Sequence, residues 1–252
     1  MHVNDIWNKR APLYDDLDWV RKRDFLNFFI GLCQPRRDIL ALDVGCGTGI
    51  ISRELAPIVK KVIGIDLSVD MINQAVSKNK EGVLNGKQEY IQGDAQCMEF
   101  ADGTFDLVTA RMSFHHIAEV EKAITEVYRI LKRGRRFVLC EGVPPDHKTR
   151  QRYEEIFALK EKRHTFSEAE LINMFYQAGF ENIVLTPFFM KQVSLVNWLR
   201  DSAIEDGVTQ KILELHVTAD GHFQRVYQMT VRDNDIFIDW KFAVVTGEKG
   251  KG

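Results

Sequence analysis

Ile39-Leu40-Ala41-Leu42-Asp43-Val44-Gly45-Cys46-Gly47-Thr48-Gly49 is the stretch on which the fold turns. Its first half is a short apolar run of strand type, and its second half is G-x-G-x-G. Glycines let a chain turn sharply from a strand into a helix, and the free N–H groups at the helix start can face a ligand. Residue 50 is Ile, so the third glycine comes one position earlier than in the dinucleotide fingerprint G-x-G-x-x-G. Asp43 stands two residues before the loop. A carboxylate there is poorly placed for a pyrophosphate and well suited to a ligand carrying an ammonium group. A tight turn with no ligand is the plainer alternative.

Working outward, apolar runs alternate with amphipathic stretches. Strands are predicted at 39–44, 61–65, 88–92, 105–110 and 136–141. Helices are predicted at 49–56, 69–79 and 119–131. In the second, Met71, Ile72, Ala75 and Val76 share a face, and in the third Val120, Ile124, Val127 and Leu131 do. This rhythm predicts an α/β fold with a mostly parallel sheet and helices on both faces. Pro144-Pro145 interrupts it. A charged helix follows at 146–163, and then a helix at 167–178 that opens with a capping box of Ser167 and Glu170 and closes on Gly179. A sixth strand is predicted at 182–189, helices at 195–203 and 208–216, and an antiparallel hairpin from 225–231 and 235–245.

The 252 residues, 45% of them hydrophobic, suffice for one domain with an appended cap. The core is expected at about 34–142 and 167–247, with a partial helical cap from 1–33, 143–166 and 193–219. A net charge of −2 supplies no general attraction to nucleic acid or to an anionic membrane. The four cysteines form no C-x-x-C pair, which suits free thiols in a reducing compartment and no zinc site. Residues 1–10 are polar, unlike a signal peptide, and no window approaches the roughly 20 apolar residues of a membrane span. A cytoplasmic protein is expected. Whether it forms a homodimer stays open.

Two further acids stand at strand ends. Asp66 follows Val62-Ile63-Gly64-Ile65, about 20 residues beyond Gly45, where a carboxylate can accept both hydroxyl protons of a ribose. Asp94, in Gly93-Asp94-Ala95, could accept from an adenine amino group while the Ala95 N–H faces the ring, or could be an ordinary Asp turn. Phe105-Asp106-Leu107-Val108 then leads to Phe114-His115-His116. These motifs, in this order and spacing, resemble the class I S-adenosylmethionine-dependent methyltransferases. The likeness is to the small-molecule group that includes the ubiquinone and menaquinone C-methyltransferases. It covers about residues 39–141, together with the lead-in Arg10-Ala11-Pro12-Leu13-Tyr14-Asp15.

The resemblance implies a Rossmann-like sheet of seven strands whose last strand is antiparallel. It implies that Gly45, Gly47 and Gly49 shape the loop around the methionine moiety of S-adenosylmethionine, and that Asp43 orients its amino group directly or through the loop. Asp66 would hold the ribose, Leu67 and Met71 would pack on the adenine, and Asp94 with Ala95 would read its edge. Arg111 would line the methionine moiety largely by its backbone, and Tyr14 would close the site. The chain departs from its relatives in two places. Leu131-Lys132-Arg133-Gly134-Arg135 replaces the common L-K-P-G-G, and His115-His116 replaces the Arg-Asn of the quinone enzymes.

The implied reaction is methyl transfer to a small-molecule acceptor by in-line displacement, in which the protein supplies alignment and desolvation. His115 or His116 would be the base where the acceptor must lose a proton, unless the two form a structural pair. A metal role for them with Cys97 is disfavoured. Tyr14, Trp19, Phe114 and Tyr153 would shield the cation and the acceptor or fill core. The cluster Lys132, Arg133, Arg135 and Arg136 reads as a solvated turn, and 147–164 as an exposed helix. Acceptor contacts are expected from 1–30, 143–166 and 193–219, where Trp7, Trp19, Phe25, Phe28, Phe29, Phe157 and Trp198 suggest a ring-bearing molecule. Two alternatives remain: an NAD-dependent oxidoreductase, against which Asp43 and the early third glycine count, and a cofactor-binding protein without turnover.

Overall fold

The structure is a computed structural model that describes residues 3–200, 202 and 204–251. The first two residues of the expected cap, and residues 201 and 203 of the helix predicted at 195–203, lie outside the described residues. The strands are β1 (Leu40–Val44), β2 (Lys61–Asp66), β3 (Gln88–Gln92), β4 (Phe105–Arg111), β5 (Leu131–Gly142), β6 (Phe180–Ser194), β7 (Thr230–Arg232) and β8 (Asp235–Lys249). They form one sheet in the order β3-β2-β1-β4-β5-β8-β6, with β7 paired to β8 alone. The strands from β3 to β5 run parallel, and β8 is antiparallel to both β5 and β6. The α/β class and the antiparallel last strand are as the sequence predicts.

Strand periodicity sends alternate side chains to two cores. Ala41, Leu107, Val138, Cys140, Phe242 and Val244 face one side. Leu42, Val44, Val108, Ala110, Phe137 and Leu139 face the other. The first core takes helices α2 (Arg23–Cys33) and α3 (Ile50–Leu55), the second α6 (Val120–Ile130) and α8 (Glu168–Gln177). The capping box of α8 forms as expected: Ser167 Oγ accepts from the Glu170 N–H at 3.2 Å, and Glu170 accepts from the Ser167 N–H at 2.6 Å. In α4 (Val69–Lys78), Met71, Ile72 and Ala75 are buried, but Val76 is exposed, so the apolar face is narrower than predicted.

Three expectations change. The predicted strand at 225–231 begins as helix α11 (Gly221–Val226), because Asp220 caps it by accepting from the Phe223 N–H at 2.8 Å, and only residues 230–232 pair as a strand. The basic cluster at 132–136 lies within β5 and not in a free turn, since Lys132 and Arg135 pair with Asp106 and Arg136 with Glu248. The charged stretch 147–164 is not an exposed helix. Its helix α7 (Arg150–Lys160) buries Tyr153, Ile156 and Phe157, and the side chains of Lys160, Glu161 and Arg163 are buried as well.

The rest of the cap lies over the carboxyl ends of the strands. It comprises α1 (Val3–Arg10), two short 3-10 turns at Tyr14–Asp16 and Asp18–Arg21, α9 (Leu195–Arg200) and α10 (Asp206–Val217). A small helix α5 (Lys80–Leu84) joins α4 to β3. No helix among the described residues is long and apolar enough to cross a membrane.

Candidate active site

The chain leaves β1 outward to β2 and β3, then returns to β4 on the other side of β1. Such a reversal opens a crevice beyond the strand ends. Gly45 closes its floor. Its φ is 64°, and a Cβ there would lie 2.4 Å from the Ser113 Cβ, so the ends of β1 and β4 can meet only at a residue without a side chain. Ser113 Oγ donates to the Val44 carbonyl at 3.1 Å across the same junction. Gly49, at φ 80° before α3, is required for another reason: a Cβ there would lie 2.5 Å from Tyr90 Oη.

A cavity of about 250 Å³ opens over this loop. Of the residues expected to hold the ligand, it is lined by Tyr14, Asp43, Gly45, Gly47, Asp66, Leu67, Met71, Asp94, Ala95 and Arg111. Gly49 is the exception, since it packs under Tyr90 and does not face the cavity. A Cβ on Gly47 would meet only Met71 Sδ at 3.9 Å, and one on Gly93 only Ile65 Cβ at 3.9 Å. Both glycines therefore leave open a cradle that any side chain would fill.

The acids are held in distinct ways. Asp43 is buried; one oxygen accepts from the Ser52 N–H (3.1 Å) and hydroxyl (2.8 Å), the other from the Thr109 hydroxyl (3.1 Å). Burial raises its pKa to about 6. Asp43 thus organises the start of α3, and any influence on a ligand passes largely through the loop. Asp66 accepts one backbone N–H on each oxygen, from Gly47 and Ser68, both at 2.9 Å, and keeps further lone pairs. Burial raises its pKa too. Asp94 accepts from the backbone and side-chain N–H groups of Gln96, the ordinary Asp turn, while lining the cavity. Leu67 is 46% exposed, a large apolar side chain left at the cavity mouth. The Arg111 guanidinium turns away to the Val20 carbonyl (3.1 Å) and the face of Trp19, so its backbone and stem do the lining.

The lead-in is tied down by Asp15, to which sequence reasoning assigned no role. It accepts from the Thr48 hydroxyl of the loop and pairs with Arg53 (3.5 Å) and Lys78 (3.2 Å). Tyr14 and Trp7 meet edge to face at 6.2 Å, and Trp7 meets His116 at 4.8 Å. Trp7, Tyr14, Met112 and His116 also line a second chamber, walled by Trp19, Tyr153, Phe157, Trp198 and Trp240, whose free space is about 50 Å³. Met112 was missed by sequence reasoning. It lies at φ 55°, in the left-handed region, a strained conformation of the kind that collects at functional sites. Phe114, expected as a shield or as core, is core: it is fully buried and packs on Phe137. Phe25 and Phe29 are core as well.

The two histidines part company. His116 faces both cavities. His115 faces only the chamber and is buried, its Nδ1 hydrogen-bonded to Glu141. Glu141 is fully buried and also accepts from the Phe114 N–H at 2.8 Å; burial raises its pKa to about 7. Burial pushes both imidazoles well below their usual range, so His116 is neutral at pH 7, with a free lone pair but weaker basicity than an exposed imidazole. Donor atoms of His115, His116 and Glu161 lie within 4.8 Å of one another, a spacing that could hold a metal. Arg10, Lys160 and Arg163 surround that same Glu161, however, and their charge opposes a dication. Cys97 is exposed and outside the group.

Residues 42–139 match the family model of a methyltransferase domain. The demethylmenaquinone methyltransferase of Lactiplantibacillus plantarum is 32% identical over 212 residues, which are 72% of this chain and 89% of that protein. The uncharacterized methyltransferase YcgJ of Bacillus subtilis is 33% identical over 141 residues, 56% of this chain and 55% of YcgJ. The YcgJ crystal structure matches with a TM-score of 0.80 at 23% identity, covering 92% of this chain and all of that one. The [4+2]-cyclase SpnF matches with 0.69 at 18% identity, covering 99% and 95% of the two chains. The two structural likenesses concern the fold alone. The sequence relatives go further: the chain belongs to the S-adenosylmethionine-dependent methyltransferase family.

Proposed function

We propose that the protein binds S-adenosylmethionine in the loop cavity and transfers its methyl group to a small molecule held in the adjoining chamber. The observation that carries this reading is the shared wall. Trp7, Tyr14, Met112 and His116 face both spaces, so a donor in one and an acceptor in the other would meet at His116. When bound, S-adenosylmethionine supplies a sulfonium methyl carbon open to in-line attack, the C–S bond breaking with its electron pair kept by sulfur.

The residues present fit that ligand. The free lone pairs of Asp66 accept the ribose hydroxyls, and the Gly47 cradle admits the methionine end. Leu67 and Met71 cover the adenine, and Asp94 with Ala95 reads its edge, Asp94 being fixed by Gln96. The Arg111 backbone lines the methionine moiety, and Tyr14 closes over it from the lead-in. Asp43 stiffens the loop through Ser52. His116 takes the proton that a hydroxyl or amine acceptor loses. His115, bound to Glu141, backs its ring at a centroid distance of 4.0 Å. Three buried, unbridged cysteines (Cys33, Cys46 and Cys140) favour a reducing compartment, and we place the protein in the cytoplasm.

Calorimetric titration with S-adenosylhomocysteine tests the donor site. Wild-type protein should bind it, and Asp66→Ala should abolish binding. Binding of NAD in place of S-adenosylhomocysteine would overturn the reading.

A further inference from the structure

The chamber beside the donor cavity has an unusual charge balance. Arg10 donates from Nε to the Ser202 carbonyl (2.7 Å) and from Nη1 to Glu161 (2.5 Å), which completes an Arg10–Glu161 pair. Two further buried cations line the same space. Among the described residues, Lys160 Nζ reaches only the oxygen of Glu161 that Arg10 already holds, at 3.2 Å, and stands over the Trp198 ring at 5.1 Å. Arg163, its side chain 2% exposed, has Glu161 at 3.9 Å and the carbonyls of His164 (3.2 Å) and Gly142 (3.5 Å). These are long contacts for a group with five donors. The next carboxylate, Glu141, is engaged by His115. Among the described residues, positive charge is therefore left in a space with little free volume, and burial of this kind is costly until an anion arrives.

A neutral donor points the same way. The indole N–H of Trp19 is buried and has no hydrogen-bond partner among the described residues, and Trp19 lines this chamber. The walls are aromatic: Trp240 meets Trp19 at 5.9 Å and Trp198 at 5.1 Å, and Phe157 meets Trp198 at 5.3 Å. Aromatic faces stack on flat rings, and charge-assisted donors in a dry site favour an anionic oxygen.

We propose that the chamber takes an acceptor joining an aromatic ring to an acidic group ionised at neutral pH, the ring among Trp19, Trp198 and Trp240 and the acid on Lys160 and Arg163. Naming this molecule an acceptor rests on the methyl-transfer reading above; the preference for a ring acid does not. Burial draws the Lys160 ammonium down to about 8, as expected of a cation short of a counter-charge. Because the free space is about 50 Å³, admission of a ring requires part of the lining to shift, and we assign that movement to the segment 161–166. That segment carries Arg163 and has no helix or strand of its own.

The test is calorimetric titration of the intact protein, with and without saturating S-adenosylhomocysteine. The probes are 2-hydroxybenzoate, phenyl phosphate and the neutral 2-hydroxybenzyl alcohol. Either acid or both should bind on the order of tenfold or more tighter than the alcohol, the worth of one or two charge-assisted hydrogen bonds. Which acid wins distinguishes carboxylate from phosphate. Lys160→Met and Arg163→Gln should each erase most of that preference and leave S-adenosylhomocysteine affinity unchanged. Equal binding of acid and alcohol to the wild type, a comparison that needs no variant, would overturn the proposal, as would a preference that survives both substitutions. Failure of S-adenosylhomocysteine to bind would overturn the donor reading instead, and the titrations without it would still decide the chamber.

Discussion

The donor cavity and the acceptor chamber share a wall and are built from different materials. The floor of the cavity is backbone and short side chains: Gly45, Gly47 and Gly93, with single acids at the ends of β1, β2 and near β3. Its shape follows from where strands stop. The chamber is made of long side chains, Arg10, Lys160, Glu161, Arg163 and a set of tryptophans, drawn from segments far apart in the chain. The contrast shows why one cofactor site can serve many acceptors. Backbone geometry fixes the common half, and the cap supplies the half that differs.

Two large effects would sharpen this contrast, and the first lies in the loop. Asn tolerates positive φ, so Gly47→Asn should fold normally, because its Cβ would meet only Met71 Sδ at 3.9 Å. The amide would occupy the cradle, and S-adenosylhomocysteine affinity should fall on the order of 100-fold, read by calorimetry. Gly49→Asn should do the reverse. Its Cβ would strike Tyr90 Oη at 2.5 Å, costing about 1–3 kcal/mol in urea unfolding, with the cavity lining untouched. Equal loss of affinity in both variants would break the division between a glycine that faces the ligand and one that packs.

Next comes the wall itself. His116→Gln removes the neutral imidazole that faces both spaces and keeps its bulk. With an acceptor that must lose a proton, kcat should fall roughly 10²–10⁴-fold while S-adenosylhomocysteine affinity stays within a few-fold. An unchanged kcat would leave His116 a wall residue and nothing more.

The two halves were legible to different degrees. Asp43, the glycines, Asp66 and Asp94 sit at strand ends, and strand ends follow from local hydrophobic pattern, so their convergence could be read from order and spacing. Spacing could not tell which glycine faces the ligand, because the reason for Gly49 is Tyr90, on a different strand. The segments 1–30, 143–166 and 193–219, expected on the acceptor side, do wall the chamber, and what escapes the sequence is the burial of its charges, for a physical reason. A run such as Lys160-Glu161-Lys162-Arg163 lacks an apolar stripe and looks solvated, yet Glu161 is neutralised by Arg10 from the N-terminal helix. No local pattern announces a partner so remote. Asp15 was visible only as part of the lead-in; its targets, Thr48, Arg53 and Lys78, required the fold.

A smaller effect concerns the cost of ordering the loop. Burial holds Asp43 near 6 in the folded protein, against about 3.9 for an unfolded Asp. The folded pKa is the higher one, so the folded state takes up the proton first as pH falls. Wild-type protein should therefore gain stability relative to Asp43→Asn between about pH 6 and pH 4. The difference in urea unfolding free energy, wild type minus variant, should rise by about 1 kcal/mol from pH 7 to pH 5. A flat difference would mean that Ser52 and Thr109 compensate the buried charge fully.

The smallest expected effect tests whether the lead-in belongs to the donor half or to the cap. Asp15 joins them, since it accepts from Thr48 in the loop while standing next to Tyr14 on the shared wall. Asp15→Asn keeps the Thr48 hydrogen bond and removes the charge that holds Arg53 and Lys78 at 3.5 and 3.2 Å. Those cations are partly exposed, so the lost attraction is screened, and stability should change by less than about 1 kcal/mol. Donor affinity should weaken a few-fold, because Tyr14 and Trp7 would be held less firmly over the cavity, and the change should shrink as salt is raised. If affinity holds and only acceptor binding falls, the lead-in is part of the cap, and the boundary between the shared half and the variable half runs through the Thr48–Asp15 contact.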